Sequence, residues 1–425
     1  MKTGRKVAQQ FFFFWLTRWR HSVLLRRLSM LTSGTIFAQA AQLLNFVLLA
    51  KLYSLSEVGQ YSIFAAIVGM LAPVALIGYD TLIPSASNEN LQPYIKAMLL
   101  LMLPVGLLLG LLSMLVSYAH VHAVVIWVVG AAIHRVAEMY NVRVNRFRWI
   151  SVARLAPPLM MTLLLVLLTW VDVQGINHLI QLQAGLTLVL GLTYAILTLP
   201  STVLMKRFTI TMMGATLRKS VNAPLYLMPS NLLNLAAYNI PVLVIGHWFS
   251  SELAAQYAYV LRFGFGPVGL IGGTLYQVFY GFLAEASRSA DEIMFRQFIR
   301  ARRYIGCAAV AVALGIAVAY PLAFNYLLGP EWATAGWISV IFSPLFAAML
   351  YVTTQSVALN VFSLQQYELK SQVQYFGLSI LSFGLAVISG NAWIGFVMFS
   401  ALGFLRYVFL LRDINKVLIH RNVLS

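Results

Sequence analysis

Charge is scarce in this chain: Asp, Glu, Lys and Arg make up 10% of its 425 residues, while hydrophobic residues make up 60%. That balance leaves too few charges to solvate a globular surface and more apolar residues than a water-soluble core can use. The chain therefore reads as an integral membrane protein. Cysteine is nearly absent. The single one, Cys307, lies in an apolar run, which excludes a disulfide framework and a thiolate metal cluster and leaves the compartment unread. No Asp-x-Asp pair is present to hold a sugar nucleotide, and no P-loop is present for an ATPase motor. His120 and His122 share a loop with no acidic neighbour, so they suggest no metal site.

What is abundant is long apolar runs. Windows of about 20 residues, the length that crosses about 30 Å of hydrocarbon as helix, fall at 30–50, 59–79, 97–118, 122–140, 154–171, 178–200, 222–247, 254–283, 304–328, 334–361, 370–389 and 391–411. The runs are continuous rather than alternating, which predicts about twelve helices and not a β-barrel. With the N-terminus inside, the loops on the outer face hold Lys51 with Glu57, Asp172, Glu252 and Glu331. Apart from Lys51, Arg135, Arg262 and Arg406, every Lys and Arg falls at the inner face, as the positive-inside rule requires for an even helix count and two cytoplasmic termini. The net charge of +17 then needs no nucleic acid; attraction to anionic membrane lipid accounts for it.

The first 28 residues mix FFFFW with arginines and read either as an uncleaved interfacial helix or as a disordered basic tail. The expected organisation is this segment at 1–28, a six-helix bundle at 29–200, a cytoplasmic linker at 201–221, a second six-helix bundle at 222–412 and a tail at 413–425. A repeated phrase supports the division. LYSLSEVGQY, Leu52 to Tyr61, returns as WFSSELAAQY, Trp248 to Tyr257, at the junctions of helices 1–2 and 7–8. The same offset places Thr35 on Asn231 and Gln42 on Tyr238. Two halves in the same orientation, related by an axis along the membrane normal, would produce both matches. The expected fold class is thus all-α and polytopic, with two pseudo-symmetric bundles around a central cavity.

Polar stripes run along the two equivalent helices. Thr35, Gln39 and Gln42 recur at helical spacing on helix 1, and Asn231, Asn234 and Tyr238 on helix 7, where Pro224 and Pro229 are candidate hinges. Polar groups avoid lipid, so the stripes either bond helix to helix or line a hydrated cavity between the halves. Gly264 to Gly269 matches a dinucleotide fingerprint, but no strand precedes it and no acidic residue follows about 20 positions on. With Gly266 and Pro267 it instead marks a hinge in helix 8.

The run SGTIFAQAAQLLNFVLLAKLYSLSEVGQYSIFAAI, followed by GYDTLIPSASNE, resembles the start of bacterial polysaccharide-export proteins of the O-antigen flippase (Wzx-like) type. IPVLVIGHWFSSELAAQYAYVLRF and LLGPEWATAGWISVI resemble that family's pattern at helices 7–8 and 9–10. The family belongs with lipid II flippases and multidrug exporters in one superfamily, and this chain lacks the two extra helices typical of lipid II flippases. The resemblance implies a non-enzymatic transporter of the bacterial cytoplasmic membrane. Its substrate would be an undecaprenyl-diphosphate-linked oligosaccharide, its coupling ion a proton or sodium, and its partners a polysaccharide polymerase and a chain-length regulator. The chain itself has no large outer loop of the polymerase kind.

A diphosphate headgroup wants cations at membrane depth. Three arginines lie within the windows. Arg262, with no acidic residue a turn away, is either a headgroup contact or a structural arginine at a broken helix. Arg135 can pair with Glu138 three residues on, beside His134, or mark the point where substrate enters. Arg406 lies near the end of its window and can snorkel to the interface, or bind substrate. Asp80 is a helix-end residue or a gate. A drug antiporter needs buried carboxylates, and only Asp80 and Glu138 come near membrane depth. A flippase and a cation-coupled antiporter thus remain the two candidate functions, separated by the charge of the cavity lining.

Overall fold

The computed structural model describes residues 23–86, 91–102, 104, 121–171, 175–200, 217–218, 225, 228–289, 292–362 and 366–420. Pro224, His120 and most of the expected basic N-terminal segment and linker lie outside these residues. The described chain is helical: α1 Val23–Leu52, α2 Leu55–Ala75, α3 Leu91–Met102, α4 Val121–Arg143, α5 Phe147–Trp170 and α6 Ile176–Thr198. After the linker come α7 Met228–Trp248, α8 Ser251–Ser289 interrupted by a π turn Leu261–Phe265, and α9 Glu292–Ala323 closing in a π turn Phe324–Leu328. The remainder is α10 Ala333–Gln355, α11 Gln366–Ser389 and α12 Ala392–His420.

Ten helices among the described residues are long and apolar enough to cross a membrane. The other two expected spans are α3, whose described part is short, and α7, whose apolar character is diluted by Asn231, Asn234, Asn239 and His247. The packing pattern repeats with an offset of six helices. α1 packs on α5, α4 on α6 and α2 on α4; likewise α7 packs on α11, α10 on α12 and α8 on α10. α2 joins the two sets by packing on both α7 and α8.

The repeated phrase is a pair of helix starts. Ser54 caps α2, accepting from the Glu57 N–H while the Glu57 carboxylate accepts from the Ser54 N–H at 3.0 Å; Ser250 caps α8, accepting from the Leu253 N–H at 3.1 Å. The two copies then meet. A Cβ on Gly59 would lie 1.9 Å from the Ser251 carbonyl oxygen, so α2 and α8 cross where no side chain fits, and the Ser56 and Ser251 hydroxyls bond at 2.8 Å.

Prolines fix further helix contacts. A proline has no N–H for the carbonyl four residues earlier, and in lipid that carbonyl needs another donor. Pro157 leaves Ala153 O, which accepts from His134 Nε2 at 3.0 Å; Pro241 leaves Ala237 O, which accepts from the Ser379 hydroxyl at 2.9 Å; Pro267 leaves Phe263 O, which accepts from the Tyr320 hydroxyl at 2.7 Å. Three helix pairs are thereby bonded: α4 to α5, α7 to α11, and α8 to α9.

Several expectations change. Helix 2 ends at Ala75 rather than 79: the chain turns through Ile77 and Gly78, both at positive φ, and Asp80 sits in the following 3-10 turn Tyr79–Ser85. Pro229 is the second residue of the described part of α7, and Pro241 lies further along the same helix. The described part of α1 starts at Val23, so Arg26 and Arg27 are helical, and α12 continues through most of the expected tail to His420.

Candidate functional site

The α1 stripe faces inward. Thr35, Gln39 and Gln42 line a cavity of about 660 Å³ whose walls also include Tyr61 and Ser62 from α2, Trp127 and His134 from α4, and Arg154 from α5. Gln183 and Thr187 from α6, Asn239 from α7 and Arg262 from α8 complete its polar lining. The α7 stripe faces a different space. Asn231, Asn234 and Tyr238 line a second cavity of about 590 Å³ between α2, α4 and α7, together with Asp80 and Arg135. A third opening of about 310 Å³ joins the two stripes: Gln39 and Gln42 from α1, Tyr238 and Asn239 from α7, Arg262 and Gly266 from α8. The third opening adjoins both others, sharing Gln39, Gln42 and Arg262 with the first and Tyr238 with the second.

Arg262 borders two of these openings. Its guanidinium lies 4.4 Å from the Phe46 ring centroid and near Tyr259 and Tyr61, and it donates to the Ser62 hydroxyl at 3.4 Å. Tyr259 is itself held by donating to Phe46 O at 2.7 Å, tying α8 to α1. Among the described residues Arg262 has no ion pair with a carboxylate. Aromatic faces stabilise the cation without neutralising it, so its charge stays available to an anion. It sits on the π turn just before Gly266 and Pro267. Such turns tolerate local rearrangement, and Gly266 lets Gln39 approach: a Cβ there would lie 2.8 Å from Gln39 Nε2.

The other sequence candidates form an ion-pair chain. Arg135 pairs with Asp80 and with Glu138, each at 3.2 Å; Glu138 also pairs with Arg154 at 3.1 Å, and Arg154 donates to Thr35 at 2.8 Å. Four segments, the 3-10 turn, α4, α5 and α1, are bound together through it. His134, adjacent to Arg135 in sequence, points instead to the larger cavity and stacks on Tyr194 with centroids 5.0 Å apart. Arg406 does not snorkel. It is buried against the rings of Tyr375 and Tyr407, at 4.2 and 4.3 Å. It lines none of the three openings.

Sequence reasoning placed Arg154 among loop cations, yet it lines the largest cavity. It also passed over Asn45, which extends the 35/39/42 stripe by one more turn, donates to Pro158 O at 2.7 Å and accepts from Thr162 at 2.6 Å. Gln183 and Thr187, four residues apart on α6, carried the same readable signal.

No protein-family model matches the chain and no curated protein matches it. Among solved structures, the lipid II flippase MurJ in an inward closed conformation aligns over 91% of this chain and 87% of its own, with a TM-score of 0.69 and 14% identity. An inward-facing multidrug resistance MATE family transporter of the MOP superfamily aligns over 92% and 98%, with a TM-score of 0.60 and 13% identity. A mutant of the MATE transporter VcmN from Vibrio cholerae aligns over 94% and 97%, with a TM-score of 0.56 and 16% identity. At these identities the likeness shows a shared fold.

Proposed function

We propose that the chain is a flippase that moves undecaprenyl-diphosphate-linked oligosaccharide repeat units, of O-antigen, capsule or exopolysaccharide, from the inner to the outer leaflet of the bacterial cytoplasmic membrane. The observation that carries this reading is the lining of the cavity of about 660 Å³, which includes Arg262, Arg154 and His134 but, among the described residues, no Asp or Glu. Arg154 is neutralised by Glu138; Arg262 is not, and so supplies the charge for a diphosphate. The remaining lining suits sugar hydroxyls, since the carboxamides of Gln39, Gln42, Gln183 and Asn239 can both donate and accept. A fold shared with a lipid II flippase supports the same reading.

In this mechanism the headgroup passes between the halves by alternating access while the polyprenyl tail stays in lipid. A diphosphate at Arg262 biases the bend of α8 at Gly266 and Pro267. Asp80, Glu138 and His134 act as gate or coupling groups toward a proton or sodium ion. The alternative, a cation-coupled drug antiporter, needs a free carboxylate facing a cavity. Asp80 faces the second cavity but is paired with Arg135, and Glu138 is paired twice, which weighs against that reading.

Proteoliposomes separate the two. The expected result is that the reconstituted chain moves a fluorescent undecaprenyl-diphosphate-linked oligosaccharide between leaflets and does not exchange an organic-cation dye for protons or sodium. Dye exchange without lipid-linked transport would overturn the proposal.

A further inference from the structure

A separate pocket lies away from the three central openings, between the start of α11 and the end of α12. It has a volume of about 290 Å³ and is lined by Lys370, Ser371 and Gln374 from α11 and Arg412, Asp413 and Lys416 from α12. Three cations face one carboxylate, a net of +2 from 3 − 1, and the Asp413–Lys416 contact at 3.9 Å lies along α12 itself. Lys370 and Arg412 thus converge from different helices with no acidic residue of the lining bonded to either.

Ser371 supplies the second, independent observation. The residue is 4% exposed and lines the pocket, and its buried hydroxyl has no hydrogen-bond partner among the described residues. Buried hydroxyls are normally paired. A donor held out of water beside converging cations and a carboxamide is the arrangement that an oxyanion completes.

The surroundings name the class of oxyanion. Val373, Val408 and Phe409 are 51%, 43% and 59% exposed, Phe409 at the pocket wall and the other two beside it on the same helices. Apolar side chains outward and cations at the helix ends match the boundary between acyl chains and headgroups. We infer that this pocket binds the phosphate of an anionic phospholipid headgroup, with the acyl chains along the exposed α11 and α12 surface. The same oxyanion chemistry could be supplied by free phosphate, and the experiment separates the two sources.

The purified, delipidated full chain in detergent is titrated with phosphatidylglycerol, phosphatidylcholine or inorganic phosphate, and its thermal unfolding midpoint is followed. Phosphatidylglycerol should raise the midpoint saturably while the other two do not. Each pocket cation removed should weaken the apparent affinity about five-fold, so Lys370→Gln/Arg412→Gln loses most of the response. Ser371→Ala should weaken binding with no change in charge. Arg303→Gln, on the exposed face of α9, removes one charge elsewhere and should leave the response intact. Equal responses to the two lipids, or a phosphatidylglycerol response unchanged in both Lys370→Gln/Arg412→Gln and Ser371→Ala, would overturn the site. An inorganic-phosphate response that matches phosphatidylglycerol and is lost in those variants would overturn the lipid assignment.

Discussion

Tyr320→Phe removes one hydroxyl and nothing else from the contact between α9 and α8. Its ring still meets Phe324, 5.9 Å away, so packing is conserved and the change isolates the bond to Phe263 O. Pro267 offers that carbonyl no N–H, and water is scarce at this depth. The loss should therefore approach the cost of an unsatisfied buried acceptor, on the order of 1–3 kcal/mol. The structure sharpens this into a test of mechanism. Pro267→Ala restores an N–H one turn away, so in that background Tyr320→Phe should cost close to nothing. The unfolding midpoints of the four proteins of the cycle, purified in one detergent, measure the coupling. Equal costs in the two backgrounds would refute the idea that the tyrosine compensates for the proline, and no cost in either would refute the bond's contribution altogether.

Three other perturbations follow from the site. Arg262→Lys should keep partial export, whereas Arg262→Ala and Arg262→Gln should lose it at normal membrane levels, a charge-assisted contact being worth on the order of 1.5–3 kcal/mol; full export by Arg262→Ala would refute the charge role. Glu138→Gln breaks two ion pairs whose arginines are partly exposed, at 44% and 35%, so the cost should be about 1–2 kcal/mol in unfolding measurements, and more than that of Asp80→Asn, which breaks one. Gly59→Ala should reduce both membrane abundance and export, since its Cβ would fall on the Ser251 carbonyl; an unaffected variant would show that α2 and α8 do not cross as described.

The fold was legible because the bilayer enforces it. Each window of about 20 apolar residues can only be a helix there, and the windows map in order onto the described helices, the third reaching α3 only at 97–102 with its remainder largely outside the described residues. Direction changes were less legible. Hydropathy continued from Ala75 to Tyr79 without a break, while the backbone had already turned at Ile77 and Gly78; that turn is a matter of φ, not polarity. The repeated phrase was readable as duplication but not as a contact. Only the three-dimensional arrangement brings Gly59 against Ser251, because the offset that relates the copies says nothing of the axis on which they meet.

For the site, spacing along one helix was informative and depth across helices was not. Thr35, Gln39 and Gln42 reach a cavity together because residues three or four apart share a face. Arg406 was misjudged because its place in a window gives its position along α12 and not the face on which its side chain lies. Its guanidinium turns into the bundle, against the rings of Tyr375 and Tyr407. Arg154 was misjudged in the opposite direction, read as a loop cation when Glu138 and Thr35 draw it inward. An arginine's role in a membrane thus depends on which partner its long side chain finds. Arg154 finds a carboxylate and a hydroxyl within the protein, and Arg406 only ring faces, away from the three openings. Arg262, with only ring faces and a weak hydroxyl contact, keeps its charge open to the cavity.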